Sequence, residues 1–158
     1  MTQPLVVSQA RSYPVPPDKA FVVALETPLE QIFTRRFAAM PPIREVRGQD
    51  GAWGTVGQTR TIVTSDGGRL TEELTSVDRP DSFGYGLRVI SGPMKPLVSS
   101  VEGRWSFAEA GTGCTVTWAW TVHPATDLAA RMMPVFGWMW RGYARAALGQ
   151  LEGILLNA

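Results

Sequence analysis

The chain has 158 residues, 44% of them hydrophobic and 18% charged, and its 15 basic residues against 14 acidic ones leave a formal net charge of +1. That length suits one domain, residues 1–158, with a real core; the composition excludes a disordered chain, and the absence of any basic block excludes a nucleic-acid backbone as partner. One cysteine, Cys114, and one histidine, His123, exclude an intrachain disulfide, a zinc site of several Cys and His ligands and a two-histidine, one-carboxylate centre, so neither metal nor cofactor is expected.

The first residues, up to Pro14, show no basic segment followed by a long apolar stretch and a small-residue cleavage site. No run of about 18 apolar residues follows anywhere. The expectation is a cytoplasmic chain without an integral membrane segment. Leu5 to Tyr13 mixes β-branched and polar residues and reads as a strand, stopped by Pro14-Val15-Pro16-Pro17, which cannot supply ladder donors. Asp18 then opens a short helix in which Phe21, Ala24 and Leu25 share a face, ended before Pro28. A second short helix is predicted over about Leu29 to Ala38, closed by Pro41-Pro42.

Six short alternating runs follow: Ile43–Gly48, Thr55–Thr64, Arg69–Val77, Phe83–Val89, Val98–Phe107 and Cys114–Val122. Glycine, aspartate and proline at 49–51, 66–68, 79–81 and 110–113 provide the turns of an antiparallel meander. Parity places Cys114, Val116, Trp118, Trp120 and Val122 on one face, with Val101, Gly103, Trp105 and Phe107, and Phe83, Tyr85, Leu87 and Val89, on the same side of the strands before. Several large aromatics therefore converge on one concave, dry surface. From about Asp127 the chain turns helical, with Met132, Val135, Phe136, Met139, Tyr143, Ala147, Leu151, Ile154 and Leu155 as its apolar stripe and Pro134 separating a short piece from the main helix. This is the only element long enough to cover the sheet.

Five segments carry a resemblance: Ser12–Phe21, Val56–Arg60, Glu72–Pro80, Thr112–Thr117 and Arg141–Leu155. In this order they resemble the START-like (SRPBCC) superfamily, in its polyketide cyclase/dehydrase branch, over nearly the whole chain. The resemblance implies an α+β helix-grip fold: a curved antiparallel sheet of about seven strands around a long C-terminal helix, with two short helices after the first strand. It also implies a cavity between sheet and helix for a lipid, steroid, polyketide or other apolar compound, and it carries no common catalytic motif. The cluster Met132, Met133, Trp138, Met139 and Trp140 is read as an additional end of that pocket.

Individual residues then divide into candidates with alternatives. Trp105, Trp118 and Trp120 form either a stacking surface for a flat ligand or ordinary core packing, with Phe136, Met139 and Trp140 facing them from the helix. Tyr85 and Tyr143 are candidates to donate to a ligand carbonyl. Glu72, between Leu70 and Leu74, points a carboxylate at the apolar side, as a general acid or base for enolisation or as a structural partner of Arg60; a one-residue slip at 66–68 would turn it to solvent. His123 reads as exposed at a strand end, and Cys114 as a buried, inert thiol. The loop Ser91–Pro96 is either a lid or a plain connection. Three functions follow: binding of a small hydrophobic molecule, a cyclase, dehydrase or isomerase acting through Glu72, Arg60, Tyr85 or Tyr143, and a partner-binding module that forms a homodimer through the Met- and Trp-rich helix start.

Overall fold

The computed structural model describes residues 3–157. The elements follow in the order β1 (Leu5–Tyr13), α1 (Pro17–Glu26), α2 (Leu29–Ile32), β2 (Ile43–Arg47), β3 (Thr59–Thr64), β4 (Arg69–Asp78), β5 (Ser82–Ser91), β6 (Val98–Ala110), β7 (Gly113–Pro124), α3 (Asp127–Arg131) and α4 (Met133–Leu156). All seven strands lie in one antiparallel sheet, β1-β7-β6-β5-β4-β3-β2. Register shifts at Ile43/Glu45, Arg69/Leu70, Leu74/Ser76 and Val98/Ser100 interrupt the ladder, and such irregularities bend strands and curve a sheet. The α+β helix-grip arrangement implied by the resemblance is the arrangement observed.

The punctuation of the chain explains the helices. Pro17 sits in the first turn of α1, where a missing N–H costs nothing, and Asp18 beside it favours the positive end of the helix. Thr27, held extended at ψ 132° before Pro28, ends it. Thr126 caps α3 by accepting the Ala129 amide at 3.0 Å, and Pro134 restarts the helix as α4, the predicted separation. The helix α4 runs beside β1 and touches α1 and α2. It is tied to β1 where the Tyr13 hydroxyl donates to the Leu148 carbonyl at 2.7 Å.

Three expectations are corrected. The second helix stops at Ile32 and does not reach Ala38: Phe37 and Met40 form a bridge, Ala38 takes φ 50°, and the Phe37 ring stacks edge-on to Trp138 over the bare backbone of Gly142. Tertiary contact has overridden the local helical spacing. Strand β3 begins at Thr59, not Thr55, because the Gln58 side chain gathers the preceding loop; its amide oxygen accepts from the Gly54 and Thr55 amides, and its nitrogen donates to the Asp50 and Ala52 carbonyls. The stripe of α4 departs from the one predicted at its start, while Phe136, Tyr143, Ala147, Leu151 and Leu155 are buried as expected. Met133, Phe136, Trp140, Tyr143, Ala144, Ala147, Leu148, Leu151 and Leu155 are buried, whereas Met132 and Val135 are 46% and 53% exposed. The first turns of α4 are apolar all round, so spacing there carries no direction, and the sheet selects the face on which Trp140 meets Trp118 at 4.9 Å.

Candidate functional site

Strand β4 places Leu70, Glu72 and Leu74 on the inner face, all buried, and pairs Glu72 with Arg60 of β3 directly across the ladder. The Arg60 Nε donates to Glu72 Oε1 at 2.6 Å, with each side chain about 5% exposed. Arg60 also donates from Nη1 to Gln49 Oε1 at 2.9 Å and lies 3.8 Å over the Trp53 ring. Burial pushes the Glu72 carboxyl above its usual range, and the Arg60 charge and hydrogen bond pull it back only in part. Among the described residues no hydrogen bond falls on Glu72 Oε2.

Two residues away on the same face, β5 contributes Tyr85, opposite Leu74 on one side and Gly103 of β6 on the other. Its ring lies across Gly103, where a Cβ would sit 2.1 Å from the tyrosine Cζ. That passage carries the hydroxyl over β6 to β7, where it accepts the indole N–H of Trp118 at 2.7 Å and of Trp120 at 2.8 Å. Burial pushes the Tyr85 hydroxyl above its usual range, against the opposing pull of the two indoles. Trp105 stacks on Trp118 at 5.3 Å and on Phe83 at 6.2 Å, and Trp120 meets Trp118 edge-on at 5.6 Å. These groups, closed by Leu29, Ile32 and Phe33 of the α2 region, line a cavity of about 70 Å³.

A family model for polyketide cyclase / dehydrase and lipid transport proteins matches residues 4–155. The chain belongs to this family. Among solved structures, a protein from Rhizobium leguminosarum superposes on this family member with a TM-score of 0.70 at 15% identity, over 100% of this chain and 98% of that one. Major latex-like protein 151 from Panax ginseng gives 0.68 at 16% identity, over 98% and 99%. DynU16, from the dynemicin biosynthetic locus, gives 0.62 at 16% identity, over 95% of this chain and 46% of that one. At such identities the likeness is one of fold. No functionally curated protein matches the chain.

Seven of the ten ligand-lining residues predicted for this cyclase/dehydrase-family chain meet at the one cavity: Arg60, Glu72, Tyr85, Trp105, Trp118, Trp120 and Tyr143. Three do not. Phe136 and Met139 line a second cavity of about 60 Å³, next to Met40, Val89 and Leu97. Trp140 lines neither; it is wholly buried against Trp118 and Trp120, and among the described residues its Nε1 has no hydrogen-bond partner. Tyr143 is corrected in role, because its hydroxyl donates to the Pro41 carbonyl at 2.8 Å and its one hydrogen is therefore committed. Met132 and Trp138 point outward, Trp138 at 56% exposure, so of the Met- and Trp-rich cluster only Met139 borders a cavity, the second one.

Trp53 and Gln49 were missed, as they lie in the loop before β3; a tryptophan isolated among glycines at 51–54 was the available signal. Pro41, Thr64, Leu70 and Met94 line both cavities and form the wall between them. Met94 lies in the Ser91–Pro96 connection, which is held by turn bonds from Lys95 to Gly92 and Leu97 to Met94. His123 stands on the outer face with Nε2 2.5 Å from Glu102 Oε2, and Cys114 is buried, where burial raises its thiol. Among the described residues no three His, Cys, Asp or Glu side chains gather as a metal site would need, and no helix is long and apolar enough to cross a membrane.

Proposed function

We propose that the protein binds a small hydrophobic molecule between its sheet and α4. One observation carries this reading: an aromatic-walled cavity retains a few polar groups, among them Arg60, Glu72 and Tyr85, which face it from adjacent strands. Apolar walls with a few placed polar groups are the pattern of a small-molecule site. The cavity of about 70 Å³ is well below the roughly 300–1,000 Å³ of a site for a drug-sized ligand. The second cavity adds only about 60 Å³, so a lipid, steroid or polyketide enters only if the wall at Met94 moves, joins the two cavities and lets the joined space expand. Methionine, unbranched and with three rotatable bonds, is suited to that movement.

Native mass spectrometry of the purified protein, followed by organic extraction, tests the reading. Discrete added mass released on denaturation supports it. A clean apo mass, unchanged after incubation with fatty acids, sterols and aromatic polyketides and also in Met94→Ala, would show a filled core.

A second reading, a cyclase or dehydrase, is favoured by Glu72: a cavity-lining carboxyl with raised proton affinity and one unbonded oxygen is equipped for proton transfer. Glu72→Gln separates the readings. Retained ligand uptake with lost turnover marks an enzyme, and no turnover in the unmodified protein with any bound compound marks a binding protein.

A further inference from the structure

The Tyr85 hydroxyl can hydrogen-bond in only one remaining way. A phenol oxygen donates once and accepts through its lone pairs. Here two acceptor directions are taken by Trp118 and Trp120 at 2.7 and 2.8 Å. An indole N–H is a donor only, so neither bond can reverse. The ring cannot swing away, because it is pressed on Gly103 within a sheet position that is 7% exposed. Among the described residues nothing accepts the Tyr85 hydrogen; the Glu72 carboxyl, its diagonal neighbour, accepts from Arg60 on Oε1 and, although its Oε2 is unbonded, makes no hydrogen bond with the Tyr85 hydroxyl. The space that all three side chains border is the cavity.

We propose that Tyr85 is the specificity-determining donor of the site, and that the ligand end it selects is a carbonyl oxygen conjugated to a planar ring. This rests on the cavity being a ligand site. The hydroxyl needs an acceptor, because a buried donor left unpaired is costly. Two N–H bonds into its oxygen polarise the O–H and strengthen its donation. Planarity follows from the lining, since Phe33, Trp53, Phe83, Trp105, Trp118 and Trp120 all border the cavity and aromatic walls favour a flat, ring-bearing group. A ligand that offers only a donor N–H at this point meets three hydrogens and is rejected.

The probes are acetophenone and α-methylstyrene, which share a shape and differ by exchange of the carbonyl oxygen for a methylene. Calorimetric titration of the full chain and of Tyr85→Phe gives affinities, and isotope-edited infrared spectroscopy of carbonyl-labelled acetophenone reads the bond itself. The expected result is a lowered carbonyl frequency on binding, abolished in Tyr85→Phe, with about a tenfold loss of acetophenone affinity and none for α-methylstyrene. Binding of both probes with an unshifted carbonyl overturns the inference and leaves the cavity reading standing. Acetophenone uptake without α-methylstyrene uptake supports the inference. If acetophenone fails to bind while α-methylstyrene or a fatty acid binds, the inference is overturned and the cavity reading stands, and if none of them binds, both are overturned. Should Tyr85→Phe not fold, Trp120→Phe decides: a smaller carbonyl shift than in the parent supports the relay of polarisation, and an unchanged shift refutes it.

Discussion

Replacing Arg60 by Met should be far more damaging than replacing the Arg60–Glu72 pair as a whole. Removing one partner of a buried ion pair costs about 3–5 kcal/mol, because the other charge is left uncompensated. Here both side chains are about 5% exposed and joined at 2.6 Å. Loss of the guanidinium from the Trp53 face adds about 0.5–2 kcal/mol. At roughly 2–4 °C per kcal/mol for a domain of this size, Arg60→Met should melt about 7–28 °C lower. The double variant Arg60→Met/Glu72→Leu should recover most of this, since an apolar replacement of a buried pair is often neutral or stabilising.

The same reasoning fixes a pH dependence. The folded state holds the Glu72 proton more tightly than the unfolded chain does, so stability contributed by this group falls as pH rises from the ordinary carboxyl value of 4.5 through the raised native value. Arg60 holds that native value down, so its removal extends the window upward and the cost of Arg60→Met grows with pH. Urea unfolding followed by tryptophan fluorescence at pH 5 and pH 8, on both single variants and the double, measures every leg. A loss below about 1 kcal/mol for Arg60→Met, equal at the two pH values, would refute the uncompensated-charge argument.

Two further outcomes test the aromatic core. Gly103→Ala should lift Tyr85 from β6, as the new Cβ would lie 2.1 Å from its ring, costing at least about 3 kcal/mol through overpacking and two unpaired indoles; Gly86→Ala, whose Cβ meets nothing nearer than 4.0 Å, is the control in the same thermal melts. Cys114, buried at the start of β7 with its thiol raised by burial, should resist a disulfide exchange reagent at neutral pH in the native protein and label fully in urea, and rapid native labelling would contradict its place in the core.

The elements were legible where local chemistry is decisive. Prolines 17, 28 and 134 set helix boundaries whatever surrounds them, because a missing N–H and a fixed φ act within one turn. Strict alternation in Val116, Trp118 and Trp120 fixed the inner face of β7, since a one-residue slip would bury its threonines. The inward position of Glu72 follows from the same rule through Leu70 and Leu74. What only the tertiary structure decided is what each inward polar atom does. Tyr143 and Tyr85 are both buried tyrosines with similar prospects on paper, yet one spends its hydrogen on Pro41 and the other keeps it. Their partners lie 102 residues away in one case and 33 and 35 in the other, on separate elements. Hydrogen bonds are directional and short, so the partner depends on packing that no local pattern encodes. Periodicity likewise left the rotation of α4 open at its apolar first turns, and it was settled by the fit of Trp140 against the tryptophans of the sheet.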